Sequence, residues 1–333
     1  MKILSFEKIK SITLGANRFE EINGALFFRR FSEEESALYE TPGKNRGYST
    51  AGIKLSFVSD TKNIYLKVNT DKVIAIRSFF SFDVFSNGEY IGSLANFKSE
   101  DAAREYTKIE FPLGIFEGSF KLPSGKKNIT IHFPHSLEAS LIEMAIDGGA
   151  YVEPIKYEKK ILIYGDSISQ GYDALHPSKR YAARLAEALS AEEFNKAVGG
   201  EVFNPRLAKI KADFTPDYII AAYGTNDWTN TEKDLFFARA ETFYKTLSEN
   251  YPDSPIYALA PIWRGDCDKI TCYGTFSELC EAVERAAKGL GNIKFISALD
   301  FIPHEKAMFG DGFLHPNDQG FDFYFKALLE KIN

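Results

Sequence analysis

Three cysteines in 333 residues, Cys267, Cys272 and Cys280, are too few and too tightly grouped to staple a fold. An odd, clustered set argues against a disulfide framework and fits reduced thiols. Cys267 and Cys272 also lack the nearby His or paired Cys that would complete a zinc site, so no metal is expected. Long apolar runs are missing as well. No stretch approaches the roughly 18 residues of a membrane span. The start, MKILSFEKIKSITLG, has neither an apolar core of about 7–15 residues nor the small-residue cleavage site of a secretory leader. These features predict a cytoplasmic protein without a membrane partner. Basic clusters are absent too. The net charge of −6 falls wholly in the second half, because residues 1–150 carry 19 basic and 19 acidic side chains and the remainder carries 21 and 27. Such a chain repels phosphate backbones, which excludes nucleic acid as a partner.

Apolar material is plentiful by contrast: 44% of residues are hydrophobic and 14% aromatic, enough for substantial cores. The length fits two domains, and the periodicity changes once. In the first part, short segments rich in β-branched and aromatic residues recur between turns: residues 25–31, 52–60, 63–71, 79–94 and 126–133. Alternation at Ile64, Leu66 and Val68, with turns such as SNGE and PSGKKN between segments, predicts an antiparallel β-sandwich of jelly-roll type over 1–156. From 157 to 333, compact apolar runs at 161–165, 217–224, 255–263 and 293–301 alternate with helix-period stretches, and 192–198 is a weaker strand candidate. Phe236, Ala240, Phe243 and Leu247 line one helical face; Leu279, Val283, Ala286 and Leu290 line another. Alternating strands and helices predict a parallel sheet covered on both sides, with a site at the carboxyl ends of its strands.

Chemistry-bearing residues follow those apolar runs. The first ends in Gly165-Asp166-Ser167-Ile168, the weaker candidate near Gly199-Gly200, and another in Gly224-Thr225-Asn226-Asp227; Asp311 and His315-Pro316-Asn317 precede the last helix. A serine hydroxyl needs an imidazole to take its proton as it attacks. Of the five histidines, only His315 combines a late loop, a nearby carboxylate and a following helix. His132 and His135 fall in the first half, and His176 and His304 lie in loops. An imidazole base predicts activity that falls in acid. Attack on a carbonyl creates an oxyanion, for which the candidate donors are the N–H groups of Ser167 and Gly200 and the side-chain amide of Asn226.

On GDSIS, AVGGE, GTND and HPN, residues 160–332 resemble an SGNH (GDSL-type) hydrolase. The resemblance implies a flavodoxin-like α/β/α domain and hydrolysis of an ester through an acyl-serine, without metal or cofactor. A β-sandwich placed before such a domain further resembles carbohydrate esterase family 2, whose members remove acetyl groups from sugars. A small-molecule or oligosaccharide ester is then the expected substrate. Two departures stand out. Asp311 lies four residues before His315 where the family's acid usually lies three before, which leaves open a Ser-His-Asp triad or a Ser-His dyad oriented by a backbone carbonyl. Ala197 stands where many members have glycine. Trp263, Arg264 and Trp228, which follow strand ends, are candidates for contact with substrate. Asp166 and Asp227 read as structural, and Glu201 as a residue that starts a helix.

Overall fold

The computed structural model describes residues 1–39, 43–74, 76–103 and 105–332. Its N-terminal part is a β-rich domain of two antiparallel sheets. One has the order Arg18–Ile22, Ala25–Arg29, Leu137–Ile146, Asn63–Val73, Ile115–Lys121; the other runs Glu153–Pro154, Lys54–Ser59, Lys127–His132, Ser81–Ser86, Glu89–Ala95. Period-two strands place Leu55, Phe57, Ile129 and Ile131 of one sheet against Ile64, Leu66, Val68 and Leu141 of the other in a single apolar core. The central strand Leu137–Ile146 escapes the period-two search because it is buried along almost its whole length and so does not alternate.

The remainder is an α/β domain around five parallel strands, Lys159–Gly165, Ala191–Asn195, Tyr218–Ala222, Ile256–Leu259 and Ile293–Ile296. Numbered along the chain they lie in the order 2-1-3-4-5, the doubly wound arrangement, whose crevice lies beyond the carboxyl ends of the strands where the order reverses. Leu162 and Tyr164 of the first strand pack under helices Lys233–Asn250 and Phe276–Ala287, while Ile161 and Ile163 pack under Tyr181–Ala188 and Asp318–Ile332. Burial on both faces explains why these strands read as unbroken apolar runs. The expected helical face of Phe236, Ala240, Phe243 and Leu247 is buried. The second such face stops short: the helix ends at Ala287, Lys288 is already extended, and Leu290 lies beyond Gly289, whose φ is +85°. Among the described residues no helix is long and apolar enough to cross a membrane.

Candidate active site

The first parallel strand ends at Gly165, and Asp166 caps the short helix Ser167–Gln170 by accepting a hydrogen bond from Ile168 N (2.9 Å). Ser167 is thereby the first helical residue, so its N–H has no intrahelical acceptor. Its Oγ lies 2.8 Å from His315 Nε2. His315 sits in a loop closed by Gly310 N donating to the His315 carbonyl (2.8 Å) and by a bridge between Phe309 and Pro316. On the far side of the ring, Nδ1 lies 2.7 Å from Asp311 Oδ2. The other Asp311 oxygen accepts from the N–H groups of Phe313, Leu314 and His315 at 2.9, 2.8 and 3.1 Å. The four-residue spacing thus brings carboxylate and imidazole together, because the intervening turn folds over a single carboxylate oxygen. Burial works against charge on Asp311, but these hydrogen bonds and the adjacent imidazole outweigh it and hold the carboxyl down at about 2.

The donors expected for an oxyanion converge on the same edge. Gly199 N donates to Gln170 Oε1 (2.9 Å), which ties the glycine pair to the serine helix. Gly200 has a φ of +80°, a left-handed conformation that favours glycine. Asn226 Nδ2 donates to the Glu201 carbonyl (2.9 Å), which ties the amide to the segment just after Gly200 and leaves a second N–H uncommitted. Behind these donors lie three buried carboxyls. Burial pushes Asp166 up to about 6, against the opposing charges of His315 and Arg264, and pushes Glu201 and Asp227, with the help of nearby carboxyls, up to about 7. Glu201 lies in a turn four residues before the helix Pro205–Ala208, so the expectation that it starts a helix is corrected. Asp227 accepts from Phe203 N (3.2 Å) and is structural, as read.

Two of the aromatic and cationic candidates do not face a ligand. Trp228 is fully buried, its indole N–H donates to the Gly274 carbonyl (3.0 Å), and its ring packs against Phe276. Arg264 is 5% exposed, bonds the Thr225 carbonyl (2.9 Å) and Asp266 (2.7 Å), and lies over the Trp228 ring. Both anchor the short helix Thr225–Asn230 that carries Asn226; a strand-end aromatic reads the same in sequence whether it walls a pocket or fills a core. Trp263 differs: it is half-buried and stacks face to face on His304, ring centroids 5.1 Å apart.

Residues without any local motif also enter the site. Asp173, with a carboxylate of zero exposure and a φ of +68°, lies 4.0 Å from His315 Nδ1. It is gripped by Arg77 of the β-rich domain at 2.6 and 3.2 Å, and Arg77 Nη2 stands 3.9 Å from Asp311 Oδ2. Tyr106 donates its hydroxyl to the Asp173 carbonyl (2.6 Å), and the Tyr172 ring packs 5.5 Å from the imidazole. Asp173, Asp311 and His315 hold ligand atoms within 4.8 Å of one another. The guanidinium already occupies Asp173, and Nδ1 is directed at Asp311, so this donor set does not suit a cation.

Residues 163–323 match the family model described as "GDSL-like Lipase/Acylhydrolase family". No curated protein matches the chain in sequence. Among solved structures, the salicylyl-acyltransferase SsfX3 from a tetracycline biosynthetic pathway is similar at 19% identity and a TM-score of 0.78, covering 96% of this chain and 93% of that one. A putative GDSL-like lipase from Bacteroides ovatus is 20% identical with a TM-score of 0.78, over 99% and 96%. A family two carbohydrate esterase from Clostridium thermocellum, in complex with cellohexaose, is 14% identical with a TM-score of 0.66, over 96% and 98%. At these identities the likeness is one of fold, and it extends across both parts of the chain.

Proposed function

For a chain that carries a GDSL-like lipase/acylhydrolase domain over residues 163–323, and so the fold and chemistry of an ester or acyl hydrolase, we propose removal of O-acetyl groups from acetylated oligosaccharides. The observation that carries this reading is the unbroken relay from Ser167 Oγ to His315 (2.8 Å) and from His315 to Asp311 (2.7 Å). Ser167 attacks the acetyl carbonyl while Nε2 takes its proton, and Asp311 stabilises the imidazolium and fixes the ring orientation. The Ser167 and Gly200 N–H groups and the free N–H of Asn226 receive the oxyanion. As the intermediate collapses, His315 returns the proton to the sugar oxygen, which leaves as an alcohol and an acetyl-serine remains. Water, deprotonated by His315, then releases acetate.

The sugar reading draws support from the family two carbohydrate esterases among proteins of the same fold, and we assign the half-buried Trp263, held by His304 on one face, to contact with the sugar. The rivals are an acyl hydrolase of lipid or thioester chains and a non-catalytic glycan-binding protein on a hydrolase scaffold. Acetate release over acetylated xylo-, manno- and gluco-oligosaccharides, together with rates on nitrophenyl esters from C2 to C12, separates these readings. Release from at least one sugar set and a preference for C2 are expected, and a rate that climbs with chain length overturns the acetyl assignment. Ser167→Ala should lower kcat on the order of 10⁴-fold or more; full activity in that variant would remove Ser167 from the mechanism.

A further inference from the structure

Away from the serine, a cavity of about 740 Å³ opens where the β-rich domain meets the helices of the α/β domain. Its floor is the outer face of the sheet that contains Lys54–Ser59, Lys127–His132 and Ser81–Ser86. Leu55, Phe57, Ile129 and Ile131 point into the sandwich, so the alternate residues Ser56, Thr130 and His132 face the other way. Ser56, Thr130 and Phe85 lie side by side across three strands in register. Tyr157 of the connector and Arg184, Glu187 and Phe325 of two helices form the walls. None of Ser167, Gly200, Asn226, Asp311 and His315 lines this space.

The lining has an unusual balance. Ser56 is fully buried, and its Oγ has no hydrogen-bond partner. Among the described residues, the side chains of Thr130, Asn128 and His132 make no hydrogen bond either, and Asn87 uses only its Oδ1, on Asn128 N (2.8 Å). A buried hydroxyl without a partner is costly unless something else satisfies it. The charged residues, in contrast, are already paired: Arg184 with Asp322, and Glu187 with Lys54 at 3.3 Å. Burial, helped by the Lys54 ammonium, pushes His132 down to about 4 and keeps its ring neutral near neutral pH. A wall without spare cations does not select phosphates or carboxylates. A floor that presents hydroxyl, amide and imidazole groups does not suit an acyl chain. What remains is a ligand with many neutral hydroxyls and an apolar C–H surface for the rings of Phe85, Tyr157 and Phe325, and the volume falls within the usual range of about 300–1,000 Å³ for ligand sites.

We propose that this interdomain cavity binds a neutral oligosaccharide chain, separately from the serine centre. The assignment does not depend on the esterase reading, because unesterified sugars test it. Titration calorimetry with xylotetraose, mannotetraose and cellotetraose on the full chain should show binding of at least one of them. Phe85→Ala and the isosteric Thr130→Val should each weaken that binding by about fivefold or more. Both variants should keep their melting temperature within a few degrees, and their rate on nitrophenyl acetate within about twofold of the parent. Tetragalacturonate, of similar shape but anionic, should bind more weakly. The proposal is overturned if none of the neutral sugars binds at about 10 mM, well above common ligand affinities. It is equally overturned if folded Thr130→Val and Phe85→Ala bind as the parent does, or if the anionic sugar binds best.

Discussion

Asp311 uses its two oxygens differently: one gathers three backbone N–H groups and the other meets His315 Nδ1. Asp311→Asn keeps the shape but replaces an acceptor with a donor, so kcat is expected to fall by about 10²–10⁴-fold. A loss of only severalfold would favour a Ser-His dyad. Because its carboxyl is held down at about 2, below the ordinary value, Asp311 remains ionised throughout the neutral range; the stability it contributes is present above the unfolded carboxylate value of about 3.9 and is lost as pH falls through about 2. An acid limb between pH 5 and 7 would therefore belong to another group. On the opposite side of the site, Glu201 is pushed by burial up to about 7, and its own backbone carbonyl holds the Asn226 amide. As pH rises through that value, a negative charge appears behind the oxyanion donors. Glu201→Gln should therefore flatten an alkaline decline in kcat, and a decline identical to the parent's would exclude Glu201 as its source. Asn226→Ala should cost about 10²–10³-fold in kcat with little change in KM, as expected for a donor engaged mainly in the transition state.

Between elements, the important contact is the clamp of Arg77 on the turn that carries Asp173. Asp173 holds a left-handed backbone conformation costing roughly 1–3 kcal/mol, and the guanidinium and the Tyr106 hydroxyl fix it from the other domain. Through Asp173 and its approach to Asp311, Arg77 acts as a positioning residue for the imidazole. Arg77→Met leaves two carboxylates beside His315 with no cation between them. Turnover is expected to drop by up to about 100-fold, and the acid limb of kcat/KM to move to higher pH, because uncompensated carboxylates favour the imidazolium. Other groups facing the ring are the buried Asp166 carboxyl and the uncharged Tyr172 ring, and neither changes in this variant. Arg77→Lys should restore the limb. An unmoved limb would reduce Arg77 to a fold anchor.

On the scale of the whole molecule, the two parts interlock through buried polar groups rather than by a flexible tether. Arg30 donates to the carbonyls of Asn195 (2.7 Å) and Ala197 (3.0 Å), Lys196 pairs with Glu35 at 2.6 Å, and Gln170 reaches Ser49 and the His135 carbonyl. Lys196→Met would leave Glu35 buried without its cation and should cost about 3–5 kcal/mol in denaturant unfolding. Calorimetry of the parent should give one cooperative transition; two separate transitions would mean that these contacts do not couple the parts. A further bridge joins His176 to Asp83 at 2.9 Å. Burial opposes charge on His176, but the Asp83 hydrogen bond and charge outweigh it and raise its pKa. That contribution is complete below about 6.5 and is lost as pH rises through the raised value. The melting temperature should accordingly decline between pH 6 and 9, and less so in His176→Gln.

Local sequence determined the elements and their punctuation. Period-two stretches, doubly buried apolar runs and the residues after each run were legible because neighbouring positions suffice to express them, and the positions of Ser167, Gly200 and Asn226 beyond strand ends follow from the doubly wound pattern, with His315 in the loop before the last helix. What the chain order could not express is which distant side chains meet. Asp311 reaches the imidazole across four residues through the fold of their own turn, Trp228 fills a core through packing inside the α/β domain, and the bracing of the Asp173 turn by Arg77 and Tyr106 of the β-rich domain depends on how the parts dock. These contacts rest on single side chains, and their energies exist only once burial removes water and low polarity strengthens each pairing.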